Sequence, residues 1–307
     1  MIAQLGSSFK VKDLGPTEWL LGIKIERDGN TGDIHLSQRQ YAVDMLEQFK
    51  MSDCKPVSTP MDPGLVLTKE MGAKTEEEAK QYLSIYMSAV GSLIYLATQT
   101  RPDISYTVGV LARFNSNPGA AHWNAVKHLF CYIKGTLDYR ITYSKSVTSP
   151  HPFITYTDAD HGGCPDSGKS TGGCLVMMNG GPVSWKSKRQ TTVSLSTTEA
   201  EYIAGVEAGK EIKWIRNLLG ELGYEVSGAS PLLFDNQSAL QVSKNPEHHG
   251  RMKHLDLAHY WLRDEVATGH IGVQYVPTQE QLADIFTKAL PRPTVLYLRS
   301  QMGLRGS

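Results

Sequence analysis

Apolar and polar positions along this chain follow one rhythm up to about residue 140 and another beyond it. In the first part, WLLGIKIERD (19–28) and DGNTGDIHLS (28–37) alternate as two strands around a Gly-containing turn, and LSQRQYAVDMLEQF (36–49) repeats its apolar positions as an amphipathic helix. CKPVSTPMDPG (54–64) is a proline-punctuated linker. Three helical patterns follow, around residues 79–98, 102–115 and 119–134, broken at Arg101-Pro102 and at the Asn115 to Gly119 turn. From about Arg140 the period shortens to that of strands, in ITY, FITYTD, CLVMM, PVSWKS and TTVSL. A long helix comes next, and strand and helix then alternate to the end. The change of rhythm predicts a domain boundary near residue 148.

In the second part, four acids stand on these alternating signals: Asp158 in ITYTDAD, Glu201 in STTEAEY, Asp235 in LLFDNQSAL and Asp284 in QLADIFTK. Such a set suits a two-metal phosphodiesterase. Two magnesium ions need hard oxygen ligands on rigid elements, one ion readying a water and the other steadying the leaving oxygen. Without metal, four converging carboxylates repel one another.

Each acid also has a plain structural reading. Alternation along FITYTDAD puts Ile154, Tyr156, Asp158 and Asp160 on one face and does not choose between the two aspartates. A strand-end Asp that caps the Asp160 to Gly163 turn is the alternative. In the long helix, steps of four and three from Glu201 reach Gly205, Ala208, Ile212, Ile215, Leu219 and Leu222, a small or apolar stripe that faces a core. Glu199 lies about 200° around the helix from Glu201 at ~100° per residue, and it completes Ser196-x-x-Glu199, a capping box. Glu199 is thus the structural acid and Glu201 the ligand, although Thr198-x-x-Glu201 fits a capping box too. Asp235 ends PLLF before the helical NQSALQVSK, where an N-cap is the commonest role. Asp284 sits in the first turn of a terminal helix with Leu282, Ile285, Phe286 and Leu290 as its apolar face, where an acid suits the dipole whatever its function.

The order of these segments, and the words around each acid, closely resemble the ribonuclease H domain of copia-type retrotransposon polyproteins. Upstream, FKVKDLGPTEWLLGIKIERD, IHLSQRQYAVDMLEQFKM, CKPVSTPMDP, VGSLIYLATQTRPDISYTVGVLARF and HWNAVKHLFCYIKGT are similar to the reverse-transcriptase region before that nuclease. The resemblance covers nearly the whole chain. It implies an α/β fold, a ribonuclease H-like mixed five-stranded sheet with helices over residues 149–293. Before it would come an α+β palm remnant (1–60) and a helical thumb or connection (61–148), and after it a tail (294–307).

The resemblance further implies an endonuclease that cuts the RNA strand of RNA–DNA hybrids and leaves 3′-hydroxyl and 5′-phosphate ends. Asp158, Glu201, Asp235 and Asp284 would hold two Mg2+ ions, with Mn2+ as a substitute and Asp158 as the central, bridging ligand. The partners implied are the hybrid, other copies of the chain or other retroelement proteins, and no membrane. The loop VPTQEQLAD lacks the histidine that many members of the broader superfamily carry there, which bears on turnover. The polymerase word Tyr-x-Asp-Asp would lie just upstream of Met1 and is absent, so the chain alone is expected to lack DNA polymerase activity. A catalytically inert remnant or a hybrid-binding module is the competing reading.

Composition changes this picture little. The chain has 307 residues, 40% hydrophobic and 20% charged, which argues against disorder. No apolar run approaches the roughly 20 residues that span a bilayer, so an intracellular site is expected: cytoplasm or virus-like particle, with access to the nucleus. Cys54, Cys131, Cys164 and Cys174 are scattered and read as reduced. Net charge is zero, so nucleic acid must meet a local patch. The candidate is Lys186, Lys188 and Arg189 beside Trp185, basic groups for phosphates and an indole for sugar or base, with Trp185 in the core as the alternative.

Three further signals are weaker. GCPDSGKS (163–170) satisfies the P-loop pattern of a nucleotide triphosphatase, but TGGCLVMMNGG follows where phosphate binding needs a helix. Asp166-Ser167-Gly168 mimics an aspartic-protease triplet in a polar turn. His248, His249, His254 and His259 read as solvated or core histidines.

Overall fold

The computed structural model describes residues 10, 12, 15–244 and 256–306. The first part forms strands β1 (Trp19–Leu20), β2 (Ile23–Arg27) and β3 (Ile34–Ser37), then helices α1 (Arg39–Gln48), α2 (Glu76–Gln99), α3 (Ser105–Ala112) and α4 (Ala120–Lys134). Thr75 caps α2 by accepting from the Glu78 N–H, with three glutamates in the first turn where the helix dipole favours them. Tyr86, Leu93, Leu96, Ile104, Leu111, Leu129 and Phe130 close the core of this helical block.

Strand β4 (Arg140–Tyr143) contains the ITY run, and it stays out of the sheet formed by the strands immediately after it. It pairs antiparallel with β3, Leu36 opposite Ile141, and on its other side takes β10 (Leu304–Arg305), Leu304 opposite Ile141. The first sheet is therefore β1-β2-β3-β4-β10, antiparallel throughout. Residues expected as a tail instead form α8 (Arg292–Gln301) and this last strand. Burial of Val295, Leu298, Met302 and Leu304 is what draws them in.

The second part has β5 (Ile154–Ala159), β6 (Thr171–Met178), β7 (Gly181–Arg189), α5 (Thr197–Glu221), β8 (Ser230–Phe234), α6 (Gln237–Lys244), α7 (Asp256–Ala267) and β9 (Ile271–Tyr275). They build the mixed five-stranded sheet β7-β6-β5-β8-β9, antiparallel from β7 to β5 and parallel from β5 to β9. TTVSL is not a strand: Val193 and Leu195 are 50% and 78% exposed, because no neighbour pairs with the short alternation there.

Helix α5 covers one face of this sheet. Gly205 permits the contact, since a Cβ there would stand 2.4 Å from the Phe234 ring. The predicted stripe is buried through Ile215 and half-buried at Leu219, but Leu222, past the helix end, is exposed. On the opposite face, Leu175 and Met177 pack against Leu282, Ile285 and Phe286. His248, His249, His254 and the His259 side chain lie outside the described residues.

Candidate active site

Strand β5 lies parallel to β8 in the register Thr155 opposite Leu232 and Tyr156 opposite Leu233. Carried two residues on, this register sets Asp158, near the end of β5, beside Asp235, just past the end of β8. Asp284 arrives from a separate segment, a single 3-10 turn over Leu282–Phe286 rather than the opening of a long α-helix, with all five residues buried. Gln281 fastens its entry, donating from Nε2 to the Thr157 carbonyl at 2.9 Å and accepting the Ala283 N–H at 3.2 Å.

Gly173, opposite Asp158 on β6, lets this turn approach the sheet: a Cβ there would stand 2.8 Å from the Ala283 carbonyl oxygen and 2.9 Å from a Thr287 methyl. Carboxylate oxygens of Asp158, Asp235 and Asp284 consequently lie within 4.8 Å of one another. Glu201, in the second turn of α5, faces Asp158 and Asp235 and takes a hydrogen bond from the Ala159 N–H. Its Oε2 is buried with no hydrogen-bond partner among the described residues.

The electrostatics follow from crowding acids out of water. Burial, reinforced by Asp158 and Asp235, pushes the Glu201 carboxyl up to about 10. Burial and the Asp158 charge raise Asp284 to about 7, against the pull of Lys288. Asp235 is raised by burial and by Asp158. A site that holds its acids this unfavourably is set to gain from a cation.

The rival acids have other employment. β5 stops at Ala159, and the Asp160 carboxylate accepts the Thr171 N–H at 2.5 Å, closing the turn to β6. Glu199 donates its N–H to Ser196 Oγ at 3.1 Å while its carboxylate accepts the Leu195 N–H at 2.9 Å. This is the capping arrangement with its return bond one residue earlier than the usual box. The 163–170 turn leads straight into β6 and no helix follows; Asp166 accepts the Lys69 N–H of the helical block at 3.0 Å.

Two site residues escaped the sequence reading. Thr287 donates its hydroxyl to Asp158 Oδ2 at 2.6 Å, and the Lys288 ammonium stands 2.8 Å from Asp284 Oδ1 and 3.9 Å from Asp158 Oδ2. The i,i+4 spacing of Asp284 and Lys288 was the available signal.

The basic stretch is divided by strand alternation. Lys186 turns to the α5 side and pairs with Glu211. Trp185 turns the other way, packs against the Leu175 and Phe286 cluster, and donates its indole N–H to the Ala97 carbonyl at 2.8 Å. The Arg189 guanidinium lies 3.5 Å from Cys164 Sγ. Lys186, Lys188 and Arg189 share with Gln190 a cleft of about 130 Å³ between β6, β7 and α5, which Trp185 does not line.

Residues 1–63 match the family model described as reverse transcriptase (RNA-dependent DNA polymerase). The chain is 42% identical over 305 residues to the retrovirus-related Pol polyprotein from transposon TNT 1-94 of Nicotiana tabacum, an alignment that takes in 99% of this chain and 23% of that protein. It is 40% identical over 289 residues to the corresponding polyprotein from transposon RE2 of Arabidopsis thaliana, covering 94% of this chain and 19% of that one.

The chain belongs to the Pol polyproteins of copia-type retrotransposons. It spans about a fifth of the length of these relatives. An uncharacterized mitochondrial protein of Arabidopsis thaliana is 36% identical, across 70% of this chain and 85% of its own length. Among solved structures, the N-terminal ribonuclease H domain of rv2228c from Mycobacterium tuberculosis aligns with 49% of this chain and 97% of its own, at 13% identity and a TM-score of 0.31. Among the described residues, no helix is long and apolar enough to cross a membrane.

Proposed function

We propose that the second half of this chain is a metal-dependent endonuclease that hydrolyses the RNA strand of an RNA–DNA hybrid. The observation that supports it is the convergence of Asp158, Glu201, Asp235 and Asp284, from four separate segments, on one poorly neutralised site. The donor set fits a hard divalent cation such as Mg2+ or Mn2+. All four ligands are carboxylates, and Glu201 Oε2 is buried without a partner among the described residues. Asp158, Glu201, Asp235 and Asp284 would hold two such ions.

When bound, these ions would activate a water and stabilise the leaving oxygen of a phosphodiester. The remaining residues set the stage. Thr287 fixes the orientation of Asp158, Gln281 and Gly173 hold the Asp284 turn on the sheet, and Glu199 fixes the start of the helix that presents Glu201. Lys186, Lys188 and Arg189 would meet phosphates. Trp185 acts by packing β7 against the helical block. In the parent element, this activity would remove template RNA after first-strand synthesis, leaving 3′-hydroxyl and 5′-phosphate ends.

The test is cleavage of an end-labelled RNA–DNA hybrid by the purified chain in magnesium, with EDTA and Asp158→Asn as controls. Cutting of the RNA strand alone, lost in both controls, is the expected result. A folded chain that binds the hybrid and leaves it intact would replace the nuclease reading with that of a binding module.

A further inference from the structure

The turn that delivers Asp284 to the site also delivers a cation. Lys288 reaches in from solvent with its side chain 45% exposed, while the side chains of Asp158 and Asp284 are 4% and 10% exposed. Its ammonium is 2.8 Å from Asp284 Oδ1 and 3.9 Å from Asp158 Oδ2, so it contacts one carboxylate and borders the other. A compact charge on a flexible four-carbon stem, with its exit open to water, can occupy such a place and leave it.

We infer that Lys288 is a resident counter-cation, a positioning residue that holds Asp284 toward Asp158 in the metal-free chain and swings out to solvent when a divalent ion takes those oxygens. The inference rests on the reading of this site as a metal centre. An ammonium and a divalent ion cannot share one carboxylate oxygen without strong like-charge repulsion, so each excludes the other from Asp284 Oδ1. Metal binding becomes an exchange of cations. The chain keeps its acids in place without metal, and it binds metal more weakly than the bare carboxylates would.

Two measurements on the full chain test this. In the wild type, labelling with acetic anhydride read by mass spectrometry should modify Lys288 severalfold faster when MnCl2 is present than in EDTA. Lys213, paired with Glu265 away from the site, should not change. By calorimetry, Lys288→Met should bind Mn2+ about fivefold or more tightly than the wild type, and it should melt at a lower temperature in EDTA. Lys288→Arg, which keeps the charge, should restore the wild-type melting temperature in EDTA.

If the wild type binds Mn2+ and Lys288 labels no faster, or the Met variant binds no more tightly, the counter-cation role is overturned while the metal centre stands. If the wild type takes up no Mn2+, and Asp158→Asn behaves identically, the metal-centre reading fails and this inference with it. Should the Met variant not fold, the wild-type labelling decides.

Discussion

Among the described residues, the buried charges around Arg101 and those around Asp158 are built on opposite rules. In the helical block, Arg101 and Asp103, 3% and 1% exposed, meet through two hydrogen bonds of 2.9 and 2.8 Å. The Arg101 guanidinium also donates to the Thr136 carbonyl and hydroxyl. The Tyr132 hydroxyl donates to Asp103 at 2.7 Å and accepts from Arg299 at 2.9 Å, which ties α8 back to the block. Burial opposes the Asp103 charge, but Arg101 outweighs it and holds the carboxyl below its usual range. In the second sheet, Lys288 is the cation beside Asp158, Asp235 and Asp284, and burial and crowding push Glu201, Asp235 and Asp284 upward. Charge that is paired inside the fold makes no demand on a ligand. Charge left in excess is kept only where something outside the chain can satisfy it.

The largest effect that could break this contrast is Glu201→Gln. Hybrid cleavage should fall to the EDTA background, yet the metal-free melting temperature at neutral pH should rise rather than fall, since folding of the wild type takes up a proton at Glu201 that the amide does not need. A large fall in melting temperature would move Glu201 into the structural class.

Asp103→Asn should do the reverse. Two buried arginines lose their carboxylate, which costs about 3–5 kcal/mol in denaturant unfolding, while cleavage per folded molecule persists.

The pH dependence of the two clusters should also differ in sign. Folded Glu201 and Asp284, raised to about 10 and about 7, hold protons that the unfolded chain releases near 4.5 and 3.8. Their contribution to metal-free stability is full below those unfolded values and is lost as pH climbs through 7 toward 10. Asp103 is lowered instead, so its contribution is present above 3.8 and is lost as pH falls below it. Denaturant midpoints across this range in EDTA should therefore decline on the alkaline side, and saturating Mg2+ should flatten that decline.

The smallest effect belongs to Glu199→Gln. It weakens a helix start by about 0.5–1 kcal/mol and should leave cleavage intact. Equal loss of cleavage in the Glu199 and Glu201 variants would erase the distinction between cap and ligand.

Much of the second half was legible in the sequence because its signals are local. Strand period, helix stripe and capping word all act within a few residues, and they were enough to place Asp158, Glu201 and Asp235 on their elements and to set Glu199 and Glu201 on different sides of the helix. Local signals misled where packing rules. Asp284 sits on a buried 3-10 turn held by Gln281 and Gly173, and Trp185 gives its indole N–H to the Ala97 carbonyl of the helical block.

The chain by itself therefore determined which residues carry charge and, for Asp158, Glu201 and Asp235, which elements carry them. Tertiary structure alone decided the parallel register that levels Asp158 with Asp235, the return of β10 to β4 and the reach of Lys288 to Asp158. These are meetings of residues far apart in sequence. They are set by which apolar faces bury together, and no period along the chain encodes that choice.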